Sequence, residues 1–289
     1  MKKIFKETTS IEKKVRENLS LPDFLMMENA ALSLKELLLS LKTDASTEVV
    51  FLCGKGNNGG DGLAAARLLQ QYMTVFVYCP TEPTSSEAKR EYFIAKQLEI
   101  KFVQNDFLYN QSNNSKLIFV DCIFGTGFHG NLPPDTARLI KHINSIHSIK
   151  ISCDIPSGID ESGNVSLFEN KEIAFNADYT VTMGSLKLAL FSDSAKNFIG
   201  KIIVANLGIS QDYFEKHEET NFFLIEKQDL ILPLRKSKTV NKGSFGYTTV
   251  VSGEKTGASI ISSTAALHFG TGIVSLLPTE SSNINQFKV

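Results

Sequence analysis

Gly54-Lys55-Gly56-Asn57-Asn58-Gly59-Gly60-Asp61-Gly62 stands between an apolar, β-branched run, Val49-Val50-Phe51-Leu52-Cys53, and an alanine- and leucine-rich stretch with helical spacing from Leu63 to Tyr72. A strand that empties through a glycine-rich turn into a helix N-terminus is where an α/β protein holds a nucleotide. The glycines let the backbone approach a ligand closely, while Asn57, Asn58 and Asp61 add donors and acceptors that a plain phosphate cradle does not need. Gly54-x-Gly56-x-x-Gly59 fits the dinucleotide fingerprint, which keeps a Rossmann-type NAD(P)-dependent oxidoreductase as an alternative. Two features weigh against it. Asp61 places a carboxylate where the helix N-terminus would otherwise serve a pyrophosphate. The next strand, Val75 to Tyr78, ends in Cys79-Pro80-Thr81, with no acid for a ribose hydroxyl before Glu82. No Lys-Ser/Thr pair closes the loop, so the Walker pattern fails as well. A turn capped by Asp61 with no ligand is the plainer alternative, and so many glycines speak against it.

With 289 residues the chain has room for about two domains. Its 42% apolar and 21% charged content is that of a soluble globular protein. Thirty basic against 31 acidic residues leave a net charge of −1, no electrostatic footprint for nucleic acid or an anionic membrane. The segment Met1 to Glu7 has no signal-peptide core behind it, and no apolar run reaches membrane-spanning length. The expectation is a cytoplasmic protein. Cys53, Cys79, Cys122 and Cys153 form no CxxC pair. Each lies at or near the end of an expected strand and reads as a small buried hydrophobe, although parallel strands would bring all four towards one rim, near a ligand.

Periodicity predicts helices over 6–20 and 23–40, the second with Phe24, Met27, Leu34 and Leu38 on one face. Further helices are predicted over 62–72, 86–98 and 134–147. Strands are predicted at Glu48–Cys53, Val75–Tyr78, Lys101–Gln104, Leu117–Cys122, Ile149–Ile155, Tyr179–Met183 and Lys201–Asn206. Continuous apolar strands such as Leu117-Ile118-Phe119-Val120 imply burial on both faces. The fold expected is a three-layer α/β/α Rossmann-like sandwich with a mostly parallel sheet.

Two more motifs follow strands: Asp121-Cys122-Ile123-Phe124-Gly125-Thr126-Gly127-Phe128-His129-Gly130-Asn131, and Asp154-Ile155-Pro156-Ser157-Gly158-Ile159-Asp160. Each alone could be a cap or an Asx-turn. Together with Asp61 they place three acids, each beside turn glycines, on the rim where such sheets bind ligands.

Taken together, Asn57-Asn58-Gly59-Gly60-Asp61-Gly62, Asp121-x-x-x-Gly125-Thr126-Gly127 and Asp154-Ile155-Pro156-Ser157-Gly158 resemble the NAD(P)H-hydrate epimerase (YjeF N-terminal) family. Met27-Glu28-Asn29-Ala30 and Gly184-Ser185-Leu186-Lys187 add to the likeness, which covers roughly residues 10–215. The resemblance implies interconversion of the R and S forms of hydrated NADH or NADPH (NADHX, NADPHX), a step of cofactor repair. It implies substrate contacts from Asn57, Asn58, Gly59, Gly60 and Asp61, from Gly125, Thr126, Gly127, Phe128, His129, Gly130 and Asn131, and from Asp154. It further implies a potassium ion held by Asn58, Asp121 and Ser157, and a homodimer. An amide oxygen, a carboxylate and a hydroxyl are hard donors that suit such an ion. Asp154 is the candidate acid/base, since a buried carboxyl beside an apolar ring can carry a proton near neutrality. Lys187 is a second catalytic candidate, although Lys187-Leu188-Ala189-Leu190 departs from the family's usual glycine after the lysine, and a snorkelling surface lysine fits equally. His129 reads equally as an exposed loop histidine.

Residues 1–215 therefore form the expected epimerase domain. The polar stretch 211–221 reads as a linker, Phe222-Phe223-Leu224-Ile225 as a further strand, and 216–289 as linker plus the start of a second, ribokinase-like domain. Asn241-Lys242-Gly243-Ser244-Phe245-Gly246, the strand Tyr247–Val251, the small-residue helix 257–270 and the strand Gly272–Leu277 resemble the opening of NAD(P)H-hydrate dehydratase. That lyase works with ADP or ATP, and its nucleotide motif lies further along than this sequence runs. No dehydratase activity is expected from about 50 residues of such a domain.

Overall fold

The structure is a computed structural model, and it describes residues 1–41, 46–112, 116–231, 234 and 236–279. Its contacts divide the chain into two units, Lys2–Leu224 and Ile225–Val289 with Met1. The first unit runs β1 (Lys2–Phe5), α1 (Thr9–Leu19), α2 (Asp23–Leu41), β2 (Glu48–Cys53), α3 (Asn57–Leu69), β3 (Thr74–Tyr78), α4 (Ser86–Gln97), β4 (Lys101–Val103), α5 (Asn105–Tyr109) and β5 (Leu117–Cys122). It continues with α6 (Pro134–Ser145), β6 (Ile149–Cys153), β7 (Ser166–Phe168), β8 (Lys171–Ile173), β9 (Tyr179–Met183), β10 (Leu186–Lys187), α7 (Lys196–Ile199), β11 (Lys201–Ala205), α8 (Gln211–Glu215) and β12 (Phe222–Leu224).

Seven strands pair in the order β11-β9-β6-β5-β2-β3-β4, and every ladder between them is parallel. Alternation along β2 explains the layers. Val49, Phe51 and Cys53 enter a core shared with α1 to α4, while Val50 and Leu52 enter a second core with α6 on the opposite face. A strand apolar on both sides is stable only when helices cover both faces. From β2 the chain builds outward through β3 and β4, then returns to place β5, β6, β9 and β11 on the other side. The reversal point, where a doubly wound sheet opens a crevice, thus lies between the carboxyl ends of β2 and β5.

The helix after β2 begins at Asn57, earlier than the predicted 62, although Asn and Gly are poor helix formers. Close packing holds it. A Cβ on Gly62 would stand 2.7 Å from Cys122 Sγ and 3.0 Å from Cys53 Sγ, so only glycine lets α3 lie this low on the strand ends. Of the face predicted for α2, Met27, Leu34 and Leu38 are buried, but Phe24 is exposed and carries the Arg90 guanidinium over its ring at 5.4 Å. Ser85 caps α4 by accepting the Ala88 N–H at 3.3 Å. Ser85→Ala is expected to lower stability by about 1 kcal/mol, read as a lower denaturant midpoint at unchanged slope.

Periodicity did not foresee the short strand β1, which pairs parallel with β10 and antiparallel with β12. That pairing keeps residues up to Leu224 in the first unit, so the contact division falls beyond residue 215. The stretch expected as linker carries α8, whose Phe214 is buried in the first core. In the second unit the strand, helix and strand predicted there appear as β13 (Tyr247–Ser252), α9 (Thr256–Phe269) and β14 (Ile273–Pro278), and the two strands pair in parallel. The sequence's last residues lie outside the described ones.

Candidate active site

The turns after β2, β5 and β6 and the start of α3 enclose a cleft of about 560 Å³ at the reversal point. Its rim supplies Lys55, Gly56, Asn57, Asn58 and Asp61 after β2, Ile123 to Phe128 after β5, and Asp154 after β6. Thr9, Glu12 and Arg16 of α1, Asp23, Met26, Met27 and Ala30 of α2 and Glu87 of α4 complete the wall, with Met183 and Leu207. The cleft is apolar on one side, where the Phe124 and Phe128 rings lie 4.9 Å apart between centroids. Arg16 and Asp23 pair at 2.5 Å in the cleft wall, to which the exposed Lys55 also belongs.

Asp154 sits in a turn that few residues adopt. Its φ is +72°, and the Ile155 N–H reaches back to the Cys153 carbonyl at 3.1 Å. Asp tolerates the left-handed region better than most residues, yet the conformation still costs on the order of 1 kcal/mol and is retained where structure enforces it. Three groups do so. The Thr126 N–H donates to Oδ2 at 3.1 Å, the Met183 N–H donates to Oδ1 at 3.3 Å, and the Lys187 ammonium pairs with Oδ1 at 2.7 Å.

Lys187 is 1% exposed, so the surface-lysine reading of the sequence is corrected. Besides Asp154 it donates to Thr182 Oγ1 at 3.0 Å and to the Met183 carbonyl at 2.9 Å. An ammonium has three protons, and all three are committed. Lys187 therefore balances and aims Asp154.

Asp121 does not line the cleft but lies fully buried beneath the turn after β5. Its Oδ2 accepts the Ser157 N–H at 2.7 Å, and its Oδ1 accepts the Ser157 hydroxyl at 2.7 Å and the Ile123 N–H at 3.1 Å. Burial pushes its carboxyl up to about 6 against the pull of these donors. The Ser157 hydroxyl accepts the Phe124 N–H at 2.9 Å, and the Asn58 amide donates to the Phe124 carbonyl at 2.8 Å. Asn58 Oδ1 is buried with no hydrogen-bond partner among the described residues. Asn58, Asp121 and Ser157, three distant positions in sequence, thus meet around the backbone of Phe124.

Besides Asp154, the carboxyls of Glu12, Asp23, Asp61 and Glu87 line the cleft. Burial raises the Asp61 carboxyl well above its ordinary value, and the charges of Asp154 and Glu12 raise it further. Burial also raises Glu12, opposed by Lys187 and reinforced by Asp154. Glu12 and Asp61 therefore hold their protons to higher pH than free carboxyls do.

Of the predicted substrate-contacting residues, Asn57, Asn58, Asp61, Gly125, Thr126, Gly127, Phe128 and Asp154 line the cleft. Gly59 and Gly60 are buried beneath it. His129, Gly130 and Asn131 are exposed and lie outside its wall, where the Gly130 carbonyl and the Asn131 side chain hold β7 through Ser166 and Leu167. Cys53, Cys122 and Cys153 are buried and Cys79 lies away from the cleft, so no thiol lines it. Glu28, in the Met27-Glu28-Asn29-Ala30 motif, pairs with Arg67 of α3, which also holds Glu91 of α4 at 2.8 Å. It is a strut between helices. Sequence reasoning missed Glu12 and Arg16. The available signal was a glutamate at 12 between the core positions Ile11 and Val15, one position off the apolar face of α1.

No helix among the described residues is long and apolar enough to cross a membrane. A bifunctional NAD(P)H-hydrate repair enzyme from Helicobacter pylori is 36% identical over 282 residues, covering 97% of this chain and 58% of that protein. The chain thus spans a little over half the length of this relative. An NAD(P)H-hydrate epimerase from Elusimicrobium minutum is 33% identical over 204 residues, 66% of this chain and 88% of that one. The crystal structure of a yeast protein, ynu0 (YNL200c), matches the fold with a TM-score of 0.61 at 20% identity, over 80% of this chain and 99% of its own. The family model of the YjeF-related protein N-terminus matches residues 24–189, a span that holds the whole strand-end rim of the cleft, and to that family the chain belongs.

Proposed function

We propose that the chain interconverts the R and S forms of hydrated NADH and NADPH, and that the cleft between β2 and β5 is where it does so. The observation that carries this reading is Asp154, a carboxylate fixed at positive φ by Thr126, Met183 and Lys187 on the floor of a cleft with one apolar side. The relatives named as epimerases support it. The first-turn N–H groups of α3 have no acceptor earlier in their helix and suit a pyrophosphate, with Lys55 on the cleft wall to balance part of its charge. The Phe124 and Phe128 rings offer the reduced pyridine an apolar wall. Asp154 takes a proton from, or returns it to, the hydroxyl on the ring carbon beside the ring nitrogen. In this reading the protein works as a cytoplasmic isomerase of cofactor repair.

Potassium belongs to the same reading. Among the described residues no lysine, arginine or histidine pairs with Asp121, and Asn58 Oδ1 is a buried acceptor without a donor. One carboxylate among neutral oxygens fits a monovalent cation. Asn58, Asp121 and Ser157 would hold it, and the positive charge it supplies would steady the turn that carries Gly125 and Thr126. Replacing choline chloride by potassium chloride at constant ionic strength is expected to raise the melting temperature, because a ligand of the folded state alone stabilises it. Asp121→Asn is expected to abolish the rise. The activity is tested by incubating one epimer of hydrated NADH with the protein and separating the epimers by chromatography. Conversion faster than in buffer supports the reading, and an unchanged rate refutes it.

A further inference from the structure

The inversion needs two proton carriers, whichever bond breaks. If the hydroxyl leaves as water, it takes a proton and the C–O electron pair while the ring nitrogen's lone pair forms C=N. Water then adds to the opposite face and gives up a proton. If the ring opens, the hydroxyl loses its proton to form the aldehyde while the C–N pair returns to nitrogen, which takes a proton. Either way one group gives and another accepts, at different atoms or faces, so one carboxyl serves poorly for both.

Asp154 is one carrier. Lys187 is not the other, because its three protons are spent on Asp154, Thr182 and Met183. At the mouth Arg16 and Asp23 neutralise each other, and Glu87 of α4 accepts the hydroxyl of its neighbour Ser86 at 2.8 Å. Asp61 belongs to the same strand-end rim as Asp154, in the helix that follows β2. Glu12 comes from α1, outside the βα units of the sheet, and reaches the cleft from a different wall. Among the described residues its carboxyl takes a single hydrogen bond, from the Thr8 hydroxyl at 3.3 Å, and Thr8 is itself 1% exposed. That leaves Glu12 steered but with oxygens to spare for a substrate.

We propose that Glu12 is the second proton carrier of this site, working with Asp154 on the hydroxyl-bearing carbon of the hydrate. The inference rests on the epimerase reading of the cleft. The charges facing Glu12 are Lys187 and Asp154 from the sheet rim, Asp61 from α3 and Arg16 from its own helix. Burial among them keeps Glu12 protonated to higher pH than a free glutamate. A group needed in its acid form loses that form as pH rises, so Glu12 sets the alkaline limb of the rate profile.

The test measures epimerisation across pH by the wild type, Glu12→Gln, Glu12→Asp and Asp61→Asn. Glu12→Gln keeps shape and hydrogen bonding but carries no proton. It is expected to lose about a hundredfold in kcat, with KM changed by less than about threefold and the alkaline limb gone. Glu12→Asp is expected to retain a limb at reduced kcat, and its melting curve separates a folding defect from a chemical one. If Glu12→Gln does not fold, Glu12→Asp decides: an unchanged kcat and limb overturns the proposal. Wild-type kcat and limb in Glu12→Gln would overturn it, as would loss of the limb in Asp61→Asn alone. A wild type that does not epimerise removes the function itself. Wild-type turnover with an indifferent Glu12→Gln removes only this inference.

Discussion

Asp154→Asn is expected to slow epimerisation by about 10²- to 10⁴-fold, the range of a positioned general acid or base. Asparagine keeps the volume and tolerates the left-handed backbone at φ +72°, so the turn between β6 and its motif should survive. What it removes is the negative partner of Lys187, whose ammonium is then buried without a counter-charge. Breaking one side of a buried pair costs about 3–5 kcal/mol, and the variant should melt well below the wild type. Turnover must therefore be read on folded protein, with a melting curve beside it. A folded Asp154→Asn that turns over within about threefold of the wild type would deny the carboxylate any part in the chemistry.

Gly54→Ala is expected to lose more than about 3 kcal/mol, above the usual cost of an overpacked core. A Cβ at residue 54 would stand 1.9 Å from the Ile123 carbonyl oxygen, and that neighbour is backbone. The two turns cannot part cheaply, since the Gly54 N–H donates to the Cys122 carbonyl at 3.0 Å at the end of the β2–β5 ladder. Gly59→Ala meets the same obstacle, with its Cβ 1.9 Å from the Gly54 carbonyl. Gly56→Ala is the control, because nothing lies within 4 Å of its Cβ, and it should change stability by less than about 1 kcal/mol. Urea midpoints of the three variants test the ranking. Equal stabilities for Gly54→Ala and Gly56→Ala would mean that the two turns are not packed as described.

The parallel sheet was legible because its strands are buried on both faces. Runs such as Leu117 to Val120 carry that burial in their composition, whatever their neighbours. The need for glycine in the turn after β2 was legible for a similar reason, although at 54, 59 and 62 the close approach is to protein atoms. The start of α3 was not legible. Asn57 to Gly60 are weak helix formers, and only their packing on Gly54, Cys53 and Cys122 makes them helical. Nor was β1, four residues beginning with two lysines, whose partners β10 and β12 lie more than 180 positions away.

At the site, turn glycines announced Asp61, Asp121 and Asp154. Their division of labour depended on depth. Asp121 lies under the turn that Phe124 crosses, while Asp154 opens to the cleft. Lys187 could not be placed from its neighbours Leu188 and Ala189, because what buries it is the turn at Asp154 and the end of β9. Glu12 escaped notice since one glutamate on an amphipathic helix looks like any solvated charge. Its meaning comes from the distant rim it meets.

The most direct measurement is a crystal structure of the protein with a hydrate of NADH bound. The account expects the pyrophosphate at the first turn of α3, the pyridine ring against Phe124 and Phe128, and the hydroxyl-bearing carbon within hydrogen-bond reach of Asp154. A hydrate bound with its pyridine ring outside the β2–β5 cleft, and no carboxyl near that carbon, would contradict it.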